Sequence, residues 1–152
     1  MSDAKPAPNL SAWALDHLRR YLASDGAEGH HWQSAVAPEY GLMPALLLTL
    51  TGRKSGQKYI LPLNYGENAG GYFVIASKAG ADVHPGWYLN VVANPMVRIQ
   101  VGSRKFAALA RTASGEERKK LWEQMIKRYP PYADYQKKTA REIPVVVLEP
   151  VA

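Results

Sequence analysis

Two adjacent cations and a hydroxyl lie between two glycines in the segment Gly52-Arg53-Lys54-Ser55-Gly56, which joins two apolar runs of the chain. The Arg53 guanidinium can pair with two phosphate or carboxylate oxygens at once, and Lys54 adds a point charge. The glycines let the backbone approach a ligand closely and turn its amide groups toward it. By itself such a segment is more often a solvated hairpin tip than an anion site, so a second feature is needed.

A further cation follows the continuously apolar run Tyr72–Ser77. Such a run is typical of a strand that is buried on both faces. Lys78 comes directly after it, at a position where binding residues commonly leave a sheet. We therefore expect Ser77 and Lys78 to converge with the Gly52–Gly56 turn on one anionic ligand.

The strand predicted between these two features, Gln57–Tyr65, has side chains that alternate between two faces. One face carries Tyr59, Leu61, Leu63 and Tyr65, and the other carries Lys58, Ile60, Pro62 and Asn64. The second face is apolar enough for an aromatic ring and is flanked by polar groups. This face therefore suits a planar ligand.

Three tyrosines form another candidate site in the segment Tyr129-Pro-Pro-Tyr132-Ala-Asp-Tyr135. Tyr132 and Tyr135 stand three residues apart, so they share one face of a helix, and the proline pair holds Tyr129 just before it. A phenol with an ordinary pKa of ~10 is protonated at neutral pH and can donate a proton to a substrate oxygen. Ordinary aromatic packing explains the same spacing equally well.

Other catalytic chemistries find no support in the sequence. The chain contains no cysteine, which excludes disulfides, thiolate nucleophiles and cysteine-ligated metal clusters. None of the four histidines has a carboxylate at a standard metal-ligand spacing, so we predict no metal site. The nucleophile elbow of the α/β-hydrolases is also absent.

A mainly antiparallel α+β fold is expected to position these residues. Short apolar runs bounded by turn residues predict the strands Ala45–Thr51, Gln57–Tyr65, Tyr72–Ser77, Val97–Val101, Lys105–Ala110 and Ile143–Glu149. Helical spacing of apolar residues predicts the helices Leu10–Ala23, Trp87–Asn94, Ser114–Arg128 and Tyr132–Thr139, the third with a capping box of Ser114 and Glu117. Tight hairpins and short strands indicate a small antiparallel barrel with helices at its periphery.

The whole chain has the size of one domain. Its 152 residues divide into a tail at 1–9, which has no periodic pattern, and a domain over 10–152 that begins with the amphipathic helix at 10–23. No apolar run reaches the ~18 residues of a membrane span, and the N-terminus lacks a secretory signal pattern, so we expect a cytoplasmic protein. The first helix could lie on the inner face of the plasma membrane. A net charge of +6 suggests an anionic partner: nucleic acid, a membrane surface or a phosphorylated small molecule.

Six segments in the same order together resemble the deazaflavin-dependent nitroreductase family, which uses coenzyme F420 and belongs to the flavin/deazaflavin oxidoreductase superfamily. They are LLLTLTGRKSGQ at Leu46–Gln57, SKAG at Ser77–Gly80, HPGWYLN at His84–Asn90, NP at Asn94–Pro95, YPPYADYQ at Tyr129–Gln136 and REIPVVVLEP at Arg141–Pro150. The resemblance covers most of the chain, from about residue 29 to residue 150.

The resemblance implies a split β-barrel of the FMN-binding type and a reductase whose cofactor is reduced F420. By similarity, the anionic tail of the cofactor would contact basic and hydroxyl side chains at Arg53, Lys54, Ser55, Ser77 and Lys78. The deazaflavin ring is expected against the strand at Pro62, with the aromatic pair Trp87 and Tyr88 nearby. A homodimer is also expected, because split barrels of this superfamily often form dimers.

The resemblance further implies hydride transfer to an apolar acceptor such as a quinone, a nitroaromatic or an activated enone. Tyr129, Tyr135 and Asn64 would shape the substrate pocket, and Tyr132 would donate a proton. The family's best-known member has an aromatic residue where Asn64 stands here, so the pocket is expected to differ in size and in substrate range.

Two alternatives to a deazaflavin enzyme stay open. The first is an FMN-binding oxidoreductase of the pyridoxine-phosphate-oxidase type, which uses a related barrel. The second is a basic barrel that binds nucleic acid. It would need exposed aromatic side chains among its basic residues, whereas Trp122 lies on the apolar side of its predicted helix.

Overall fold

The computed structural model describes residues 4–33 and 37–151. Its strands are β1 (Lys5–Pro6), β2 (His31–Gln33), β3 (Leu42–Thr51), β4 (Lys58–Asn64), β5 (Gly66–Asn68), β6 (Gly71–Ile75), β7 (Met96–Val101), β8 (Arg104–Thr112) and β9 (Val145–Pro150). Its helices are α1 (Ala12–Ala23), α2 (Gly86–Ala93), α3 (Gly115–Arg128) and α4 (Pro131–Lys137). The predicted strands and helices are therefore present within a few residues of their expected bounds.

The strands form one mostly antiparallel sheet in the order β1-β4-β3-β7-β8-β9-β6-β5, with β2 added to β3. The sheet curls into a barrel, but β4 and β6 are not hydrogen-bonded to each other in the part of the chain that the structure describes. A gap therefore separates these two strands. This topology confirms the predicted split β-barrel with peripheral helices.

Alternating side chains separate the barrel interior from its outer surface. Leu46, Leu48 and Leu50 of β3 point inward and are almost fully buried, as are inward residues of β6 and β9. Period-two alternation sends Leu47 outward, where it packs with Ile60 of β4 against α1. The tight packing of both faces explains why β3 is apolar along most of its length.

Helices α3 and α4 cover the outer faces of β6 and β9. Leu121 and Met125 of α3 pack with Phe73, Ile75 and Val145 in a second apolar cluster, which also includes Tyr129 and Tyr132. Within residues 4–33 and 37–151, no helix combines the length and apolar character that are needed to cross a bilayer.

Several strand termini meet at one end of the barrel, which we call the α2 end. β3 ends at Thr51 beside the start of β4, and β6 ends at Ile75 beside the start of β9. Helix α2 lies over this end, with Val91 buried against the barrel interior. At the other end, the hairpin end, β7 turns into β8 between Val101 and Arg104. The topology therefore brings the Gly52–Gly56 turn and Ser77 out of the barrel at the same end.

Several local features differ from the sequence-based expectation, including strands β2 and β5, which were not predicted. Residues 5–6, expected in a tail, form β1, which pairs in parallel with Tyr59–Ile60 of β4, and the Ala7 N–H donates to the Ile60 carbonyl at 2.9 Å. The Ser114 side chain makes no capping hydrogen bond at the start of α3. The Glu117 carboxylate instead accepts two hydrogen bonds from Arg111, because this strong bidentate pair outcompetes a neutral cap.

Candidate cofactor and substrate site

The Gly52–Gly56 turn is a hydrogen-bonded hairpin between β3 and β4. The Gly52 N–H donates to the Gln57 carbonyl at 2.8 Å, and the Gln57 N–H donates to Ser55 Oγ at 3.1 Å. The side chains of Arg53, Lys54 and Ser55 are exposed. In the described chain neither cation lies within ion-pair distance of a carboxylate. The turn therefore presents uncompensated positive charge.

Asn90 of α2 fixes the position of this turn. Its Oδ1 accepts hydrogen bonds from the Arg53 backbone N–H at 3.0 Å and from Arg53 Nη1 at 2.7 Å. The guanidinium thus has one nitrogen committed to the protein and keeps other N–H groups available for a ligand. Sequence reasoning did not single out Asn90, although it ends the HPGWYLN segment on which the family resemblance partly depends.

Trp87 and Tyr88 stand on α2 and are half-buried against the barrel interior. Their rings meet edge to face, with centroids 6.2 Å apart. The Tyr88 hydroxyl is hydrogen-bonded to Thr112 Oγ1 at 2.8 Å, which ties α2 to the end of β8. The aromatic pair therefore closes the α2 end of the barrel beside the cationic turn.

The segment after β6 has a strained backbone. Lys78 and Ala79 adopt left-handed φ values of 46° and 53°, which are unfavourable for residues with a Cβ. Gly80 follows at φ 83°, and a Cβ there would lie 2.6 Å from the Tyr135 carbonyl oxygen, so this position requires glycine. The Lys78 side chain is exposed and, among the described residues, has no carboxylate partner.

Arg141 holds this strained segment in place. Its guanidinium donates to the carbonyl oxygens of Ala81 at 2.7 Å, Ser77 at 2.9 Å and Ala76 at 3.4 Å. It also lies 3.1 Å from His84 Nδ1, and burial together with the Arg141 charge lowers the pKa of His84. Sequence reasoning missed the role of Arg141, because the carbonyls it contacts precede it by about 60 residues.

The three predicted tyrosines form a stack of edge-to-face rings. Ring centroids are 5.1 Å apart for Tyr129 and Tyr132, and 6.0 Å apart for Tyr132 and Tyr135. Tyr132 is only 7% exposed, and its hydroxyl interacts with the Asn64 side chain, which partly offsets the effect of burial on the Tyr132 pKa. Asn64 ends β4 and the tyrosines border β6, so this contact links α4 to β4 across the barrel gap.

Burial raises the pKa of two of these phenols. The pKa of Tyr132 lies well above its ordinary value because of burial and, next, the nearby Tyr129. Burial raises the pKa of Tyr135 to about 12. Both phenols are therefore fully protonated at neutral pH and can act as hydrogen-bond donors.

One edge of β4 faces the gap. β1 pairs with this edge only at Tyr59–Ile60, and the rest of the edge has no strand partner among the described residues. The Tyr65 N–H donates toward β3, to the Pro44 carbonyl, whereas the Ile60 carbonyl accepts from Ala7 on the opposite edge. Because successive residues alternate in the direction of their backbone groups, Pro62 and Asn64 direct theirs toward the gap. The described strands do not pair with them there. Proline, which lacks an N–H, is typical of such an edge.

The predicted site residues thus form two groups, one at the α2 end of the barrel and one beside the gap between β4 and β6. The turn residues connect to α2 through Asn90, and α2 connects to Ser77 through His84 and Arg141. Pro62 and Asn64 belong to the β4 edge that faces the gap, and Tyr129 and Tyr132 pack in the cluster that contains Phe73 and Ile75 of β6. No hydrogen bond in the described residues joins the Gly52–Gly56 turn directly to Lys78, so their convergence on one ligand stays a prediction.

Known proteins resemble this chain over most of its length. A family model described as F420H(2)-dependent quinone reductase matches residues 13–150. An F420H(2)-dependent quinone reductase of Mycobacterium tuberculosis strain H37Rv is 36% identical over 135 residues, which cover 87% of this chain and 86% of the relative.

Two solved structures are also similar. An F420-H2 dependent reductase is 48% identical with a TM-score of 0.65, covering 70% of this chain and 94% of its own. A structure described as a domain-swapped dimer is 39% identical with a TM-score of 0.67, covering 89% of this chain and 96% of its own. These matches confirm the resemblance found in the sequence motifs. The protein belongs to the F420H(2)-dependent quinone reductase family, and it is an oxidoreductase whose cofactor is coenzyme F420.

Proposed function

We propose that the protein binds reduced F420 along the open edge of β4 and reduces a quinone held against the tyrosine cluster. When bound, the reduced deazaflavin supplies a hydride for the acceptor. The residues at this edge fit such a group. Pro62 offers a backbone carbonyl and Asn64 a backbone N–H and carbonyl that β1 and β3 leave unused. A planar heteroaromatic ring can donate to the carbonyls and accept from the N–H.

The single observation that carries this proposal is that uncompensated cations precede a strand, β4, whose far end has an open edge. Arg53 and Lys54 lie at the start of β4, and the gap lies near its end. Guanidinium and ammonium groups bind phosphate and carboxylate oxygens, which are the groups in the anionic tail of the cofactor. Ser55, Ser77 and Lys78 extend the same polar end of the barrel and are proposed to contact this tail.

The other residues of the site orient the reactants and exclude water. Trp87 and Tyr88 close the barrel end and are proposed to shield the ring from solvent. Tyr129, Tyr135 and Asn64 form the wall that an apolar acceptor would contact. Tyr132 is the proposed proton donor at its hydroxyl, which interacts with the Asn64 side chain.

The proposal is tested by titrating the protein separately with F420, FMN and FAD, and by measuring quinone reduction. We expect tight binding of F420 alone, and binding that weakens steeply with added salt. Lys54→Ala should weaken F420 binding at least tenfold. The matched control Lys119→Ala removes the same charge from the exposed face of α3 and should leave the affinity unchanged.

Two results would reject this assignment. Equal affinity of the wild type and Lys54→Ala would remove the turn from the cofactor site. Preferential binding of FMN would instead support the flavin-dependent alternative. The nucleic-acid alternative has less structural support, because Trp122 is half-buried and is covered by the Arg118 guanidinium at 5.0 Å.

We also propose that α1 contacts the inner face of the plasma membrane and that the chain forms a homodimer in the cytoplasm. Trp13 and Leu22 are 47% and 49% exposed on α1, and Arg19 is exposed on the same helix, whereas Arg20 is paired with Asp16 and Glu28. This combination is typical of interfacial helices. Co-sedimentation with anionic vesicles should fall in Trp13→Ala, and light scattering of the wild type should give the dimer mass. Unchanged co-sedimentation of Trp13→Ala would contradict the membrane contact, and a monomer mass would contradict the homodimer.

A further inference from the structure

A separate cavity of about 620 Å³ opens at the hairpin end of the barrel. This volume lies within the range of small-molecule binding sites. Its wall includes residues from the loop before β2, the segment after β4, the β7–β8 hairpin and α3. None of the proposed cofactor or substrate residues lines it, and it lies at the other end of the strands from the Gly52–Gly56 turn.

The polar groups of this cavity are held by contacts within the protein. Arg104 Nη2 donates to the Tyr72 hydroxyl at 2.6 Å, and His30 Nε2 is hydrogen-bonded to the Tyr65 hydroxyl at 2.8 Å. The rings of Tyr65 and Tyr72 meet edge to face, with centroids 5.4 Å apart. These contacts form one connected network, so the guanidinium and imidazole are preorganised before any ligand arrives.

The charge of the lining is predominantly positive. Arg104 and Arg128 both border the cavity, and in the described residues neither forms an ion pair with a carboxylate. Arg128 donates to the carbonyl oxygens of Tyr40 and Leu42, which holds its guanidinium at the rim. Glu67 is the acidic residue of the wall, and its backbone carbonyl accepts from Gln124 at 2.9 Å. The lining therefore carries two guanidinium charges and one carboxylate.

We propose that this cavity binds a small organic anion through its carboxylate or phosphate group. Arg104 and Arg128 supply the planar donor groups that match such oxygens, and His30 supplies a further polar contact. A site with preorganised cations that lack acidic partners gains more from an anion than from a neutral ligand. The proposal does not depend on the cofactor assignment, because no lining residue of this cavity is a proposed cofactor or substrate contact.

The neighbouring titratable groups predict how binding responds to pH. Burial and the charge of His31 lower the pKa of His30, while the nearby Glu67 opposes this effect. Burial raises the pKa of Tyr65 to about 12, so the phenol stays neutral. A bound anion should raise the pKa of His30 above its value in the free protein. By linkage, affinity for the anion should increase as the pH falls from 7 toward 6.

The test titrates the full-length protein with inorganic phosphate and, separately, with benzoate, while NMR follows the histidine ring signals. We expect saturable shifts of the His30 signals. The probe that binds with the higher affinity shows whether the cavity prefers a phosphate or a carboxylate group. Arg104→Gln should weaken this binding at least tenfold. Arg98→Gln is the matched control, since it removes the same charge from an exposed site on β7 and should bind as the wild type does. Lys54→Ala should also leave the His30 response unchanged, which separates this cavity from phosphate bound at the cofactor turn.

Three outcomes would overturn the proposal. The first is no His30 shift with either probe, the second is an equal loss of binding in the control Arg98→Gln, and the third is full retention in Arg104→Gln. If Arg104→Gln unfolds, Arg104→Lys keeps the charge but loses the planar donor pair, so its affinity for the anion should be lower than that of the wild type, and unchanged affinity would overturn the proposal. Affinity for F420 should be the same in all folded Arg104 variants.

Discussion

The Tyr132 phenol is protonated at neutral pH, because burial raises its pKa. The raised pKa also makes the phenol a weaker acid, so its proposed role is to hydrogen-bond the acceptor and to give up its proton only as negative charge develops there. Its hydroxyl interacts with the side chain of Asn64, at the end of β4. The residue therefore contributes both to the proposed chemistry and to the shape of the pocket.

Tyr132→Phe should lower kcat for quinone reduction at least tenfold while the affinity for F420 changes less than twofold. The substitution removes the hydroxyl that donates the proton but keeps the ring packing. Steady-state kinetics with an F420 titration give both values. Tyr40→Phe is the control, because Tyr40 packs on Tyr129 at 5.6 Å but lies outside the proposed proton path. An unchanged kcat in Tyr132→Phe would remove the donor role.

The segment Ser77–Gly80 shows how a distant side chain maintains a strained element. Two residues with left-handed backbone conformations follow β6, each costing on the order of 1 kcal/mol, and Arg141 stabilises them through three carbonyl contacts. Arg141 is thus a positioning residue for Ser77 and Lys78. A lysine cannot reproduce the fork of donors that these contacts use.

Arg141→Lys should raise the KM for F420 about tenfold with kcat changed less than threefold, because the segment loses its position but not the reacting groups. Arg111→Lys is a control that alters an exposed ion-pair network on β8. Assays well below the melting temperature separate the effect from unfolding. A fall in kcat with unchanged KM would contradict this positioning role.

The contact between α1 and the β7–β8 hairpin sets a steric limit at Gly26. A Cβ at this position would lie 2.2 Å from the Gly102 carbonyl oxygen, and φ is 88°. Gly26→Ala should therefore lower the free energy of unfolding by about 3 kcal/mol, measured by denaturant titration. Gly70→Ala is the control: it has a similar φ of 80° but open space around it, so only about 1 kcal/mol should be lost. Equal losses of unfolding free energy in the two variants would show that the positive φ causes the whole effect and that the contact with Gly102 adds nothing.

The stability of the whole molecule should depend on its partly buried histidines. Burial lowers the pKa values of His17, His30 and His84 below 6.5. The unfolded chain, with ordinary histidine pKa values, then binds more protons than the folded chain below about pH 6.5. The part of the stability that depends on these histidines being neutral is therefore fully present above this pH and is lost as the pH falls below it.

The free energy of unfolding should decrease between pH 7 and pH 5, by less than about 1.4 kcal/mol per pH unit for each histidine. His17 is 4% exposed and is hydrogen-bonded to the Gly29 carbonyl at 2.8 Å, so His17→Gln should flatten this dependence while keeping a donor. Denaturant unfolding at several pH values provides the measurement. A slope of the opposite sign would show that these histidines gain protons on folding.

Local patterns of the sequence determined the elements and much of the candidate site. Period-two alternation predicted the faces of β4, and glycine and proline predicted the turns, because these signals act over a few residues. Six segments were also sufficient to indicate the family. The pairing of β1 with β4 was not predicted, since two exposed residues carry no periodic pattern.

Only the tertiary structure decided which distant groups meet. Asn90 is hydrogen-bonded to Arg53, which lies 37 residues earlier, and Arg141 binds carbonyls about 60 residues earlier. Arg111 pairs with Glu117, which was expected to cap the helix instead. The cavity at Arg104 is likewise assembled from segments that are far apart in the chain. Such contacts leave no local spacing in the sequence, because strand order and the curl of the sheet bring them together.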